Sequence, residues 1–128
     1  MKSKILLVDD LEDVLDSLKR LLRTCELYEA RDARTALDVA ASEKPDLVIL
    51  DVHLPDMNGV AVLEKLTALD PRPVVIMLTG DDTVETAGKA LAAGAFSYVT
   101  KPFEAKELLE QVKKGLEFGE KERGKRGI

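Results

Sequence analysis

The stretch DLVILDVHLPDMNG, residues 46–59, joins a short apolar run to a carboxylate and then to a turn. The run Leu47–Leu50 is unbroken, which is typical of a strand buried on both faces in a parallel sheet. Asp51 follows at the carboxyl end of that strand, and turn-forming residues up to Gly59 lead into another helix. Open α/β sheets bind their ligands at this edge. Asp51 is therefore either a helix cap or a chemical group, and the rest of the chain decides which.

The same order of an apolar run followed by a helical pattern recurs along the chain. Apolar runs predict strands at residues 5–8, 27–30, 74–78 and 96–99 as well as 47–50. Apolar residues at helical spacing predict five helices, and Asp32 is the predicted N-cap of the second. The residues that mark the helices are Leu11, Val14, Leu15, Leu18, Leu21 and Leu22; Ala36, Leu37, Ala40 and Ala41; Val62, Leu63, Leu66 and Leu69; Val84, Ala87, Leu91 and Gly94; and Ala105, Leu108, Leu109, Val112 and Leu116.

Strands that alternate with helices need crossover connections, so the pattern predicts a parallel sheet with helices on both faces. The predicted fold class is a three-layer, flavodoxin-like (βα)5 α/β domain with strand order 2-1-3-4-5. One domain is predicted over residues 1–118, because a chain of 128 residues suits a single core. Residues 119–128 lose periodicity and gain charge and glycine, so they are predicted to be a charged C-terminal tail, either a frayed helix or the start of a linker.

Composition limits the classes of function that the chain can have. The formal net charge of -5 argues against bulk electrostatic binding of nucleic acid or of an anionic membrane surface. The single cysteine, Cys25, cannot form an internal disulfide, and the sequence has no Cys/His cluster for zinc, so the predicted location is a reducing cytoplasm. The first apolar run is too short for a signal-peptide core or a membrane span.

Five polar side chains follow the predicted strands at one edge of the sheet. They are Asp9 and Asp10 after the first strand, Asp51 after the third, Thr79 after the fourth and Lys101 after the fifth. In the order 2-1-3-4-5 these side chains converge, and crowded carboxylates repel unless a cation lies among them. Oxygen ligands suit Mg²⁺. A metal, an ammonium and a hydroxyl around a carboxylate nucleophile stabilise a phosphoryl group in transfer, so the predicted product is an aspartyl phosphate on Asp51.

Four motifs occupy these positions, and the resemblance that they carry extends over almost the whole chain, from residue 4 to about residue 116. They are VDD at Val8-Asp9-Asp10, D-V-x-x-P-x-x-x-G at Asp51, Val52, Pro55 and Gly59, Thr-Gly at Thr79-Gly80, and Lys-Pro-Phe at Lys101-Pro102-Phe103. Together they resemble the response regulator receiver domains of two-component signalling. The resemblance implies that a histidine kinase or phosphotransfer protein phosphorylates Asp51. It also implies that the phosphorylated domain controls an output domain or downstream protein, with homodimerisation as one route.

The resemblance also implies a ligand set for Mg²⁺. Asp10, Asp51 and the backbone carbonyl of His53 would be the metal ligands, and Asp9 would support the metal through water. His53 and Asp81 occupy the two positions that tune autodephosphorylation in such domains.

A switch pair is implied by the same resemblance. The Thr79 hydroxyl would move toward the phosphoryl group and the Tyr98 ring would turn inward, which remodels the face made by the fourth helix, the fifth strand and the fifth helix. The Lys101-Pro102 bond resembles the cis peptide common in the family.

Simpler interpretations and rival functions accompany these predictions. Asp10 alone could cap the first helix, because aspartate is a preferred cap. A phosphatase of the haloacid dehalogenase type also uses an aspartate nucleophile, but its D-x-D follows the first strand, where this chain has Asp9-Asp10. A flavin electron carrier would need a phosphate-binding loop at that point, and two acids would repel the phosphate. We therefore predict a phosphoacceptor domain without independent substrate turnover.

Overall fold

The computed structural model describes residues 2–80 and 84–126. Five strands and five helices alternate along these residues. The strands are β1 (Lys4–Val8), β2 (Glu26–Ala30), β3 (Leu47–Leu50), β4 (Val74–Thr79) and β5 (Ser97–Thr100). The helices are α1 (Glu12–Leu21), α2 (Ala33–Glu43), α3 (Gly59–Thr67), α4 (Val84–Ala92) and α5 (Ala105–Arg126).

The five strands form one parallel sheet in the order β2-β1-β3-β4-β5, which confirms the predicted topology. The central strand β3 pairs with β1 and β4, so that Leu50 lies beside Val8 on one side and Met77 on the other. This register brings the carboxyl ends of three neighbouring strands to one edge. Asp9 after β1, Asp51 after β3 and Thr79 at the end of β4 therefore lie at the same edge of the sheet.

Alternate residues of the strands enter two separate hydrophobic cores. On one face, Leu6, Val48 and Val75 pack with buried residues of α2, α3 and α4. On the other face, Leu7 and Ile49 pack with buried residues of α1 and α5. Because helices cover both faces of the sheet, all four residues of β3 are apolar and buried, and no polar residue alternates with them. The three-layer architecture predicted from the sequence is confirmed.

The helix caps decide between the structural and chemical interpretations of the acids. Asp32 caps α2 as predicted, because its side chain accepts from the Thr35 N–H at 2.8 Å. Asn58 caps α3 by accepting from the Val60 N–H at 2.7 Å. The N-cap of α1 is Leu11, which makes no side-chain cap bond, so the interpretation of Asp10 as a cap is wrong. Asp10 and Asp51 are thus left for another role.

Three leucines of the apolar patterns that predicted the helices are exposed. Leu11 is 53% exposed because it precedes α1, and Leu91 on α4 is 50% exposed. The buried residue of α4 is Ala90, one position away on the helix. Leu109 on α5 is 42% exposed. Gly94 lies outside α4, at a φ of 108° in the left-handed region that favours glycine, so it follows the helix and does not belong to it.

Helix α5 extends well beyond Leu116, the last residue of the apolar pattern that predicted it. It has 22 residues, and within the predicted tail the described residues 119–126 continue the helix. The backbone lies close to β4 here, because a Cβ on Gly119 would come within 3.0 Å of a Val74 methyl carbon. The domain division at residue 118 stays a prediction. Among the described helices, none is both long enough and apolar enough to cross a membrane.

Gly59 fixes the approach of α3 to the end of β3. Its N–H donates to the Val52 carbonyl at 2.6 Å, and a Cβ at this position would lie 2.5 Å from the Val52 Cα and 2.6 Å from the Asp51 carbonyl oxygen. Backbone atoms cannot yield as a flexible side chain can. We therefore expect Gly59→Ala to lower the free energy of unfolding by about 2 kcal/mol or more.

Urea denaturation of Gly59→Ala beside Gly88→Ala measures this effect. A Cβ on Gly88 meets nothing within 4 Å, and this residue lies within α4, so its replacement should raise stability by about 0.5 kcal/mol. Equal effects of the two substitutions would contradict the close approach at Gly59.

Candidate functional site

Three carboxylates meet at the carboxyl edge of the sheet. Asp9 and Asp10 follow β1 and Asp51 follows β3, and each offers an oxygen atom within 4.8 Å of the other two. Asp9 is 1% exposed and Asp51 is 5% exposed. Burial removes the water that screens charges at a surface, so the three acids repel one another strongly. A cluster of this kind needs positive charge.

Lys101 supplies part of that charge from the end of β5. Its Nζ lies 2.7 Å from Asp9 Oδ2 and 3.5 Å from Asp51 Oδ2. The backbone aims this side chain, because the Lys101 N–H donates to the Thr79 carbonyl at 2.7 Å. The Lys101-Pro102 peptide is cis, as the resemblance to receiver domains implies.

Asp51 is held from both sides by backbone. Its own N–H donates to the Val8 carbonyl at 3.0 Å, which continues the pairing of β1 with β3. Its Oδ1 accepts from the His53 N–H at 3.2 Å. The Lys101 ammonium reaches the other oxygen, Oδ2. One oxygen is thus bound by a backbone donor and the other faces a cation at the long end of hydrogen-bond distance.

The pKa of Asp51 is raised from its ordinary value of 3.8. Burial is the largest cause, since the ionised form loses hydration, and the negative charge of Asp9 adds to it. The hydrogen bond from the His53 N–H and the positive charge of Lys101 act in the opposite direction. Burial and the charge of Asp9 thus outweigh the two favourable donors, so ionisation of Asp51 is less favourable than that of a solvated carboxyl.

Asp9 and Asp10 differ in how their oxygen atoms are occupied. Asp9 Oδ1 accepts from the Leu11 N–H at 3.0 Å and Oδ2 accepts from Lys101. No hydrogen bond from a described residue reaches the Asp10 carboxylate, which is partly exposed. The Asp10 carbonyl accepts from Arg31 Nη2 at 3.1 Å, which ties this loop to the end of β2. The Asp10 carboxylate oxygens are thus available to a ligand, whereas both carboxylate oxygens of Asp9 already accept hydrogen bonds.

The donor set fits a small divalent cation. Carboxylate oxygens are hard ligands of the type that Mg²⁺ prefers, and Mg²⁺ needs few protein groups because it keeps several waters. The spacing of the three oxygens is compatible with one ion among them. The close grouping of the three acids confirms their predicted convergence.

Thr79 and Tyr98 lie on adjacent strands at different depths. Thr79 ends β4, is completely buried and pairs in register with Thr100. Extending the pairing of β3 with β4 by one residue places Asp51 beside Leu78, so Thr79 is one position further toward the edge. Tyr98 pairs in register with Met77 and packs, partly buried, against the core of the α2, α3 and α4 face.

The two residues predicted to tune autodephosphorylation are His53, which the structure describes, and Asp81, which it does not. His53 is exposed and its backbone forms an isolated antiparallel bridge with Asn58. Its imidazole therefore lies on the solvent side of the loop that follows Asp51. Asp81 lies outside the described residues.

Asp56 is a site-supporting residue that sequence reasoning missed. Its two oxygens accept from the Ala33 N–H at 2.8 Å and from the Arg34 N–H at 3.1 Å, at the start of α2. The loop that carries Asp51 is thereby fastened to a neighbouring helix. An acid in a turn gives no sequence signal for this, because its partners lie 22 and 23 positions away in the chain.

We expect Asp56→Asn to lower thermal stability at neutral pH. The pKa of Asp56 is below its ordinary value of 3.8, mainly because of the bond from the Ala33 N–H. A carboxyl with a lowered folded pKa stabilises the fold above its unfolded pKa, and this contribution disappears as the pH falls through the folded value. The gap in Tm between wild type and variant should therefore be largest at neutral pH and close below pH of about 4. A gap independent of pH would contradict the charge-based account.

The fold and the site together define a class: a doubly wound α/β domain with an acidic cluster and a lysine at the carboxyl edge of its sheet. Residues 5–113 match the sequence model of the family described as response regulator receiver domain. The chain belongs to this family. It is therefore a signalling domain of the two-component type.

Individual relatives agree with the family match. The chain is 38% identical over 122 residues to regulatory protein AtoC of Escherichia coli K12, an alignment that covers 91% of this chain and 26% of AtoC. It is 31% identical over 118 residues to sporulation initiation phosphotransferase F of Bacillus subtilis 168, covering 91% of this chain and 95% of that protein. The crystal structure of a CheY-like receiver domain protein from Methanospirillum hungatei JF-1 matches with a TM-score of 0.90 at 38% identity, covering 95% of this chain and 99% of that chain.

Proposed function

We propose that Asp51 accepts a phosphoryl group from a histidine kinase or phosphotransfer protein and that the phosphorylated domain acts as a conformational switch. The observation that carries the proposal is the position of Asp51, a buried carboxylate between two further acids and a lysine ammonium. Burial and crowding leave its charge poorly satisfied, which favours its use as a nucleophile.

The chemistry follows from the groups at this edge. An Asp51 oxygen attacks the phosphorus of the donor phosphoimidazole; the O–P bond forms, the P–N bond breaks and its electron pair returns to the imidazole nitrogen. The Lys101 ammonium, 3.5 Å from Asp51 Oδ2, neutralises charge on the phosphoryl oxygens. The Thr79 hydroxyl donates a hydrogen bond to the same group after transfer.

Mg²⁺ is proposed as the cofactor of this site, and when bound it would neutralise phosphoryl charge. Asp10, Asp51 and the backbone carbonyl of His53 would hold it. Asp9 would act through water, a role supported by the occupation of both its oxygens by protein donors. The exposed His53 imidazole and Asp81 are the proposed tuning residues for loss of the phosphoryl group.

The conformational change on phosphorylation would alter the surface formed by the edge strand β5 and the helices beside it. Thr79 moving toward the new phosphate leaves space behind it, and Tyr98 turns inward toward that space, so two states of this face exchange. Leu91 on α4 and Leu109 on α5 are half-exposed leucines on the helices that flank β5. Such residues suit a surface that binds an output domain, a downstream protein or a second copy when phosphorylated.

Two further expectations belong to this proposal. A net charge of -5 disfavours direct binding of nucleic acid or an anionic membrane by this domain, and we place the domain in the cytoplasm, beside its kinase. We expect no independent turnover of small phosphate esters, because the site lies at an open sheet edge, without a further domain among the described residues to enclose a substrate.

Acetyl phosphate with Mg²⁺ provides the direct test of phosphoryl acceptance. The wild type should gain one phosphoryl group that hydroxylamine removes, because an acyl phosphate is cleaved by that nucleophile. Chelation of the metal should suppress the reaction. A wild type that stays unmodified, with Mg²⁺ and acetyl phosphate both in excess, would falsify the proposal.

Removal of one acid tests the metal assignment. We expect Asp10→Asn to weaken Mg²⁺ binding at least tenfold, because a neutral amide replaces the carboxylate with the freest oxygens. Calorimetric titration with Mg²⁺ measures this. Asp13→Asn is the matched control. Asp13 is exposed in the first turn of α1, and its replacement by asparagine removes the same charge. An equal loss in both variants would assign the effect to general electrostatics and contradict a ligand role for Asp10.

A further inference from the structure

A cavity of about 470 Å³ lies at the amino edge of the sheet, at the opposite end of the strands from Asp51. Its floor is formed by the start of β4 at Val74, and its walls include Phe96 before β5 and Phe118 on α5. The two rings lie with centroids 5.3 Å apart. The volume is within the range of about 300–1,000 Å³ typical of small-molecule sites. The cavity is thus large enough for an organic ligand and has aromatic surface to contact one.

Two guanidinium groups line the same cavity. The side chain of Arg72 crosses the face of Gly94, where its Nη2 donates to the glycine carbonyl at the long distance of 3.5 Å. A Cβ on Gly94 would lie 2.6 Å from that Nη2, so glycine is needed for this position of Arg72. The guanidinium is therefore held at the cavity wall by packing and a weak hydrogen bond.

Arg123 reaches the cavity from α5 and is weakly committed elsewhere. Its Nη1 lies 3.7 Å from Asp46 Oδ1, with the two side chains 43% and 31% exposed. An exposed ion pair at this distance contributes little, so Arg123 can turn toward a bound anion at small cost. Glu122 also lines the cavity and disfavours ligands with two negative charges.

We propose that this cavity binds a small monocarboxylate with an aromatic or aliphatic body. The carboxylate would be paired by Arg72 and Arg123, whose planar guanidinium groups match carboxylate geometry, and the apolar body would contact Phe96 and Phe118. The three charged lining residues have a net charge of one positive unit, which matches one carboxylate. The site uses none of the groups that surround Asp51, so the proposal goes beyond the proposed function and does not rest on it.

Binding would have a consequence for α5. Phe118 and Arg123 belong to the part of α5 beyond residue 113, where the family match ends, whereas Arg72 precedes β4. A ligand held between them would fasten the end of the helix to the sheet. Amide hydrogen exchange in α5 after residue 118 should then slow when the ligand is present.

Titration of the protein with cinnamate, followed by amide NMR, tests the site. We expect saturable shifts at Val75, Gly94 and Gly119, and at least tenfold weaker binding of the neutral isostere cinnamamide, which corresponds to about 1.4 kcal/mol. The result that overturns the proposal is equal binding of the two compounds, shifts confined to the Asp51 edge, or no shifts up to about 5 mM.

Single substitutions test which positive side chains bind the carboxylate of cinnamate. Arg72→Gln and Arg123→Gln should each weaken cinnamate binding at least fivefold, and Phe118→Ala should weaken cinnamate and cinnamamide alike. Lys113→Gln removes a positive charge from an exposed position on α5 that does not line the cavity, and should bind cinnamate as the wild type does. Unchanged affinity in both arginine variants, or the same loss in Lys113→Gln, would overturn the proposal.

Discussion

Replacing Asp51 with asparagine should abolish phosphorylation by acetyl phosphate and at the same time raise the stability of the apo domain at neutral pH. The amide has no nucleophilic oxygen anion, so the acceptor is lost. The stability change follows from the raised pKa of Asp51, since a group whose folded pKa exceeds its unfolded pKa favours folding only when it is protonated. A neutral asparagine removes a buried charge that the fold holds at a cost.

Two measurements on Asp51→Asn separate the chemical role from the structural one. Phosphorylation is followed by intact mass, and the free energy of unfolding by urea denaturation without Mg²⁺. The stability gain should diminish as the pH falls through the raised folded pKa of Asp51, and it should be lost below about pH 4, where the wild-type carboxyl is protonated in the folded and the unfolded chain alike. Asp13→Asn should change neither the phosphorylation yield nor the pH profile, because Asp13 is exposed on α1. A less stable Asp51→Asn at neutral pH would show that the carboxylate is a structural anchor.

Replacing Lys101 with glutamine should produce the largest loss of stability among single substitutions at the site. Lys101 Nζ is 2.7 Å from Asp9 and 3.5 Å from Asp51, and the lysine side chain is only 18% exposed. Its removal leaves the buried carboxylates without their positive partner. Breaking a buried pair in this way costs about 3 kcal/mol. The switch should also weaken, since the phosphoryl oxygens lose their ammonium partner.

Urea denaturation with and without Mg²⁺ measures the effect of Lys101→Gln. Mg²⁺ should restore more stability to the variant than it adds to the wild type, because it supplies the positive charge that is missing. Lys89→Gln is the matched control, since Lys89 pairs with Glu85 at 3.3 Å on the exposed surface of α4. That substitution should change stability by less than about 0.5 kcal/mol, with no dependence on Mg²⁺. A small, metal-independent effect of Lys101→Gln would contradict the paired geometry.

The fold was predictable because the sheet imposes its pattern directly on the sequence. Leu47–Leu50 is apolar without interruption, since both of its faces are covered, and it pairs with two strands of the same kind. Crossover connections then leave few topologies, and the observed strand order is the one predicted. The exposed positions of Leu91 and Leu109 were not predictable, because apolar residues at helical spacing define a stripe wider than the part that meets the sheet.

The candidate site was predictable to the extent that its groups follow strands. Asp9, Asp51 and Lys101 each come directly after a strand, so the topology alone places them together. The hydrogen bonds that hold the loops around the site in place were not predictable. Arg31 binds the Asp10 carbonyl and Asp56 binds the start of α2, and such side-chain-to-backbone contacts across loops leave no periodic trace in the sequence.

The cavity at the amino edge was also beyond sequence reasoning. The residues after 118 show no helical periodicity, so the sequence did not indicate that Gly115 and Gly119 let α5 lie against β3 and β4. A helix continuing past the sheet then forms one wall of the cavity.

Location of the acyl phosphate is the most direct test of the central claim. The protein is treated with acetyl phosphate and Mg²⁺, the acyl phosphate is reduced with borohydride to trap its position as an alcohol, and the modified residue is found by peptide sequencing in a mass spectrometer. The proposed function requires one modified residue, Asp51, with none at Asp9 or Asp10. Modification at either of those residues, with Asp51 unchanged, would contradict it.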